Sequence, residues 1–270
     1  MKRLWVVTLA LCLLYGCSGN PEAVYTESSN PKVPIINYTV TKYFPHDTTS
    51  YTEGLIVHNG QLYESTGSPQ EIKQTKSLIG IIDLSTGKIN KKVELDRTKY
   101  FGEGIVILND KIYQLTYKNK TGFIYDANSF RQINKFVYSN SEGWSLTTNG
   151  TDLIMSDGTD HLTFLNPENL QSYKTLMVTE NGAPLDKLNE LEFIKGFIYA
   201  NIWTTNYIVK INPANGIVVG KLDLSSLNFE AKNKSSNADV LNGIAYDSTS
   251  DKIYVTGKLW ANIYQINFPH

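Results

Sequence analysis

Cysteine is nearly absent from this chain. Its 270 residues include two, Cys12 and Cys17, both close to the amino terminus. Beyond them there is no disulfide framework and no cysteine-based metal site. Histidine is almost as scarce. His46, His58, His161 and His270 are scattered, with no His-x-x-x-His or His-x-x-Glu-His spacing, so a zinc-hydrolase helix has no support. Each histidine is expected on the surface or in a turn rather than as a ligand. A P-loop, a Gly-x-Gly-x-x-Gly before a helix and a Gly-x-Ser-x-Gly elbow are all missing, which removes the usual nucleotide-binding and serine-hydrolase signatures. An excess of one charge is missing too: 25 Lys and Arg face 26 Asp and Glu, for a net charge of -1. No strong field therefore points to nucleic acid or an anionic membrane.

The first residues read as an export leader. Lys2 and Arg3 form a basic start, Leu4 to Leu14 an apolar run too short to span a bilayer, and Leu14-Tyr15-Gly16-Cys17 the end. A small residue followed by cysteine resembles a lipobox, so residues 1–17 are expected to be a lipoprotein-type signal, with Cys17 acylated. Plain secretion is the alternative, since Tyr15 is bulky for that motif. The expected location is the periplasm or cell envelope, with membrane contact only through the lipid. Residues 18–34, rich in Ser, Asn, Pro and Glu, read as a flexible tether. The folded domain is expected over 35–270.

What the chain does have is aromatic and β-forming residues, with 17 Tyr and 4 Trp, in short runs cut by turn dipeptides such as Asn59-Gly60, Asn109-Asp110 and Asn149-Gly150. One pattern returns. Phe101-Gly102-Glu103-Gly104 precedes the apolar run Ile105–Leu108, and Glu53-Gly54-Leu55, Glu142-Gly143-Trp144, Asn189-Glu190-Leu191 and Asn242-Gly243-Ile244 echo it. A carboxylate at the mouth of a buried strand is costly unless it is paired or working. Units of about 40–50 residues, each with four short strands, are β-propeller blades. The fold class is therefore all-β, a five-bladed β-propeller. The fifth unit has only three strands, and the early strand Ile36–Tyr43 supplies the fourth, so the N-terminal strand closes the ring. A β-sandwich would leave the five anchors unexplained.

In such a ring the anchors begin the innermost strands and converge at one end of the channel. Glu53, Glu103, Glu142, Asn189 and Asn242 make that end polar, and Tyr117, Trp144 and Trp203 give it aromatic walls. The long insertions Gly67–Ser77, Glu180–Lys187 and Leu227–Val240 would form the rim or the opposite face. Glu142 and Glu190 also have a plainer role, tying blade to blade through backbone donors, and Asn242 could be a turn residue.

The motifs Tyr51-Thr52-Glu53-Gly54-Leu55, Phe101-Gly102-Glu103-Gly104, Glu142-Gly143-Trp144-Ser145, Leu188-Asn189-Glu190-Leu191, Ala200-Asn201-Ile202-Trp203, Leu241-Asn242-Gly243-Ile244 and Val255-Thr256-Gly257-Lys258, taken in order, resemble the glutaminyl-peptide cyclotransferases of plant and bacterial type. The resemblance covers about residues 37–268. It implies a five-bladed propeller that cyclises an N-terminal glutamine to pyroglutamate with release of ammonia. It also implies no cofactor and no catalytic metal, and N-terminal glutaminyl peptides or proteins as partners; a monomer is expected because propellers often are. Glu103 matches the family's central glutamate and would shuttle the proton. Lys258 and Asn189 would hold the γ-amide or the developing oxyanion, and Tyr51, Phe101, Tyr117, Trp144 and Trp203 would cup the side chain. The glycines beside Glu103 would keep the mouth open for a peptide N-terminus. Glu53 stands where the family commonly has glutamine, Tyr117 where it has tryptophan and Tyr51 where it has phenylalanine; Glu53 is expected to raise the pKa of Glu103. The competing classes are a non-catalytic propeller that binds peptides or an envelope partner, and a metal-dependent hydrolase or lactonase. The latter lacks a histidine near any anchor.

Overall fold

The computed structural model describes residues 32–270; the leader, Cys17 and the tether up to residue 31 lie outside them. A first strand, β1 (Thr39–Pro45), is followed by blade one, made of β2 (Tyr51–His58), β3 (Gln61–Gly67), β4 (Leu78–Ile82) and β5 (Ile89–Glu94). Blade two is β6 (Gly102–Leu108), β7 (Lys111–Thr116), β8 (Thr121–Asp126) and β9 (Gln132–Val137). Blade three is β10 (Ser145–Thr148), β11 (Leu153–Ser156), β12 (His161–Leu165) and β13 (Ser172–Met177). A small ribbon, β14 (Thr179–Glu180) with β15 (Ala183–Pro184), leads to blade four: β16 (Leu188–Ile194), β17 (Phe197–Ile202), β18 (Tyr207–Ile211) and β19 (Val218–Asp223). One helix, α1 (Ser225–Lys234), precedes blade five: β20 (Leu241–Asp247), β21 (Lys252–Gly257) and β22 (Asn262–Asn267). β1 pairs antiparallel with β22 as the fourth strand of that blade. Five four-stranded antiparallel sheets, the last closed by the amino-terminal strand, make the expected propeller.

Burial explains the sequence pattern. All seven residues of β6 are buried, because an innermost strand has a neighbouring blade on each face. Its apolar run is therefore continuous rather than alternating. The outermost strands β9 and β13 bury one residue each, and they read as polar. The turns between third and fourth strands repeat as well. Asp83, Asp126, Asn166 and Asn212 each open a six-residue turn, accepting a bond on the main-chain carbonyl from Gly87, Phe130, Leu170 and Gly216 respectively at 2.7–2.9 Å. The four donor residues that close these turns sit at φ between 58° and 75°, which glycine adopts freely and Phe130 and Leu170 do not.

Every blade-to-blade interface carries a tie close to the channel. The Ser65 hydroxyl donates to the Glu103 carbonyl, Gly104 N–H to the Trp144 carbonyl (3.0 Å), Ser156 Oγ to the Asn189 carbonyl (2.7 Å), Gly243 N–H to Asn201 Oδ1 (3.0 Å) and Asn242 Nδ2 to the Thr52 carbonyl (2.9 Å). Glu190 bridges two blades at once, accepting from Leu55 N–H at 3.2 Å and Ile244 N–H at 2.8 Å. That is the tying role expected of it.

Three expectations change. The closing strand begins at Thr39, not Ile36, because the residues before it are used elsewhere: Ile36 N–H donates to the Lys221 carbonyl (2.7 Å) and Lys221 N–H to Pro34 (3.0 Å). Val33 is buried in the core of blades three and four, so the folded body starts at Val33 and the tether cannot run to residue 34. The insertion after residue 224 holds α1, a helix whose buried residues are only Leu227 and Ala231. Its apolar signal is too thin to mark it in the sequence.

His46 is the third. It is buried rather than on the surface (6% exposed). It lies between the closing strand and blade one. Its Nδ1 is 2.9 Å from the Trp260 carbonyl and its Nε2 3.1 Å from Glu64 Oε1, and Thr52 Oγ1 also donates to Glu64 (2.6 Å). Both partners of the ring are acceptors, an arrangement that favours the doubly protonated, cationic imidazole. Burial acts to lower its pKa, but the Glu64 charge and hydrogen bond outweigh it and the net shift is upward. A raised histidine adds stability below its ordinary value, and that stability is lost as pH rises through the folded value. His46→Gln is therefore expected to cost about 3 kcal/mol or more near pH 6. Urea unfolding at several pH values should show the wild type converging on the variant as the medium becomes alkaline.

Candidate active site

Counting two positions back from the equivalent apolar residue of each inner strand (Leu55, Ile105, Leu146, Leu191, Ile244) gives Glu53, Glu103, Trp144, Asn189 and Asn242. The third anchor is thus Trp144, not Glu142. In β2, β6, β16 and β20 the anchor sits in a register shift against the next strand, whereas β10 pairs without one. The Glu-Gly of blade three therefore falls outside the ring position, and Glu190 lies one place beyond it. A second ring of positions comes from the connection between second and third strands. Its first residue is Tyr117 in blade two, Trp203 in blade four and Lys258 in blade five.

These two rings enclose one cavity of about 330 Å³ at the channel end. Tyr51, Glu53, Phe101, Glu103, Tyr117, Trp144, Asn189, Trp203 and Lys258 all line it, so all nine site residues expected from the sequence are brought together. Two further lining residues, Pro69 and Glu71, were missed. They belong to the Gly67–Ser77 insertion, whose length was visible but whose side-chain direction was not. Asp239 was missed as well. It accepts from Tyr51 Oη at 3.3 Å, and its main chain holds both Trp260 Nε1 (2.9 Å) and Lys258, whose carbonyl accepts from Asp239 N–H at 2.9 Å.

The aromatic walls are two groups. Tyr51 meets Phe101 edge to face at 6.2 Å between centroids, and Phe101 meets Tyr117 at 5.9 Å. Opposite them Trp144 and Trp203 meet edge to face at 5.5 Å. Trp144 is fixed by its own indole, which donates to Glu142 Oε2 at 2.9 Å. Glu142 also faces Lys118 (3.6 Å). It orients a wall of the cavity and ties blade three to blade two through the Lys118 ammonium, where backbone donors were expected.

The floor is polar. Lys258 Nζ lies 2.7 Å from Glu53 Oε1 and 4.6 Å from the Tyr51 ring centroid, with both charged side chains buried. Asn242 Nδ2 adds a 3.3 Å bond to Glu53. Burial pushes Glu53 up to about 7, against the opposing pull of Lys258. Glu103 is buried (5% exposed), and among the described residues its carboxyl makes no hydrogen bond. Its pKa is raised well above the usual carboxylate range, first by burial, then by the charge of Glu53, with Lys258 acting the other way. The expected effect of Glu53 is present but second to burial. Asn189 Oδ1 is buried and without a partner among the described residues.

The glycines beside Glu103 do not open the mouth. A Cβ on Gly104 would lie 2.5 Å from Ser145 Cα, and one on Gly102 would lie 2.7 Å from the Thr66 carbonyl. They let the blades on either side press against the backbone that carries Glu103. Among the described residues, no three His, Cys, Asp or Glu side chains are grouped so as to hold a metal ion.

A buried acid of high pKa, a lysine–carboxylate pair, a free amide oxygen and a dry aromatic cup form a site for proton transfer on a small polar group. Comparison with known proteins shows the family. Residues 9–268 match the family model described as glutamine cyclotransferase. The chain is 38% identical over 225 residues to a glutaminyl-peptide cyclotransferase of Arabidopsis thaliana, covering 83% of this chain and 68% of that one. The crystal structure of Myxococcus xanthus glutaminyl cyclase superposes with a TM-score of 0.78 at 31% identity, covering 87% of this chain and 98% of that one. With a family match that spans nearly its whole length, the chain belongs to the glutamine cyclotransferase family of enzymes.

Proposed function

We propose that this enzyme converts the N-terminal glutamine of peptides or proteins to pyroglutamate and releases ammonia, with Glu103 carrying the proton. The observation that carries it is the Glu103 carboxyl: buried, pushed by burial and then by Glu53 toward its protonated form, and unpartnered among the described residues at the floor of an aromatic pocket. A group in that state has a proton to give and an empty place for a donor.

The neutral α-amine attacks the γ-amide carbon, a carbon–nitrogen bond forms, and the five-membered ring closes. The attacking nitrogen becomes positive and the amide oxygen negative. Glu103 gives its proton to the amide nitrogen, which leaves as ammonia as the old carbon–nitrogen bond breaks. The carboxylate then takes the proton from the new lactam nitrogen, so Glu103 ends as it began. Lys258 uses one donor on Glu53 and has two more for the oxygen that gains charge. Asn189, also on the cavity lining, holds the γ-amide. The aromatic cup holds the side chain curled toward its own amine and excludes water.

Incubating purified protein with a glutamine-initiated peptide should yield a product lighter by one ammonia, with ammonia in equal amount. Binding of the peptide without any mass change would reject the proposal and favour a non-catalytic propeller. We place the enzyme outside the cytoplasm, held by an acyl group on Cys17. The basic and apolar leader and the Gly16-Cys17 junction support this, and the mass of the mature N-terminus distinguishes acylation from a plain cut.

A further inference from the structure

The connection between second and third strands has four residues in blades two to five: 117–120, 157–160, 203–206 and 258–261. In blade one it has ten, 68–77. All five open on the end of the channel where the cavity lies, and only the long one adds a wall beyond the two rings of site residues, through Pro69 and Glu71.

This loop is built rather than loose. Arg97 reaches across from the link between blades one and two. Its Nη1 donates to the carbonyls of Lys73 (2.9 Å) and Thr75 (3.1 Å), and its Nη2 to that of Pro69 (3.0 Å). A guanidinium on three carbonyls fixes a backbone in a way a lysine cannot. Inside the loop Ile72 N–H donates to Pro69 and Thr75 Oγ1 to Ile72 (2.6 Å). At its end Ser77 Oγ accepts from Gly102 N–H (3.0 Å), next to Glu103. Glu71 is exposed at the rim and has no ion pair among the described residues, unlike Glu53 and Glu142, whose charges face lysines.

We propose that loop 68–77 is the subsite for the residue that follows the substrate's glutamine, that Glu71 favours a cationic side chain there, and that Arg97 is the positioning residue that holds the loop against the cavity. This rests on the cyclisation proposed above. With the glutamine side chain down in the aromatic cup, the rest of the peptide must leave through the mouth. Glu71 is then the carboxylate on that path with no cation of its own.

The test compares kcat/KM for two peptides that differ only in Lys or Glu after the N-terminal glutamine, with glutamine amide as a substrate lacking that residue. The wild type should prefer the Lys peptide by about fivefold at low ionic strength, with the ratio shrinking as salt is added. Glu71→Gln should bring the ratio near one, and Glu71→Lys should invert it. Arg97→Ala should also flatten the ratio, chiefly through KM, whereas a loss of folded protein alone lowers all rates together and leaves the ratio unchanged. A ratio indifferent to Glu71→Gln would overturn the proposal even with glutamine amide fully turned over. No turnover of glutamine amide by the wild type would overturn the cyclisation itself.

Discussion

Glu103→Gln should lose about 10²–10⁴-fold in kcat while KM for a glutaminyl peptide moves little. The replacement keeps the shape of the side chain and its place on β6, so the cup and the floor stay intact. It removes the one thing a carboxyl has and an amide lacks, a proton it can both give and take back. The fold should not suffer. The Glu103 carboxyl makes no hydrogen bond among the described residues, and its surroundings oppose its charge. A neutral amide there relieves a cost that the acid imposes, and the melting temperature should hold or rise. Kinetics and thermal unfolding on one preparation check both halves. A variant with wild-type kcat would remove Glu103 from the mechanism, and one that fails to fold would show that its role is structural.

Lys258→Met should have the largest effect on stability of any change in the site. It leaves Glu53 buried with no opposite charge. Breaking a buried pair from one side costs about 3–5 kcal/mol. Glu53 has a way to avoid part of this, because its pKa already stands at about 7 and loses the pull of Lys258 in the variant. It will bind a proton and stay neutral to a higher pH. The sign follows: a carboxyl raised in the folded state loses stability as pH climbs from its unfolded value to its folded one. In the wild type that loss ends near 7; in the variant it continues into the alkaline range. Urea unfolding should therefore show a modest deficit near pH 6 and the full one near pH 9. The double variant Glu53→Gln with Lys258→Met should recover most of it, since no charge is then left without a partner. An equal deficit at both pH values would mean that Lys258 acts through packing rather than charge.

The pH dependence of turnover joins these two groups. A peptide α-amine titrates near 7.7–8, and it must be neutral to attack. Glu103 must still hold its proton at that pH, and burial first, then the neighbouring Glu53, both raise its pKa in that direction. Turnover should rise as the amine loses its proton and fall as Glu103 does.

Much of this fold was legible because its signals are local. The Asn59-Gly60 and Asn109-Asp110 turns sit at the hairpins where they were expected, and continuous apolar runs mark inner strands pressed between two blades. The errors came where a contact spans the chain. His46 follows a proline and precedes an aspartate, as a turn residue would, yet its partners are Glu64 and Trp260, the second of them more than two hundred positions away. The third anchor was misplaced because Glu142-Gly143 copies the local text of the other anchors while β10 lacks their shift in register. The glycines beside Glu103 were assigned to the channel mouth, but only the neighbouring blade reveals what they avoid. Of the site itself, the residues on the two rings could be read from the repeat. Pro69, Glu71 and Asp239 could not, because they sit on insertions that have no counterpart in other blades.

Whether Glu103 holds a proton in the resting enzyme is open to direct observation. Infrared difference spectroscopy of wild type against Glu103→Gln, with isotope-labelled glutamate, isolates this one carboxyl. At neutral pH the difference should contain the carbonyl band of a protonated acid, disappearing only as the medium becomes alkaline. A carboxylate band in its place would mean that Glu103 is ionised before substrate arrives, and that it has no proton to give the leaving nitrogen.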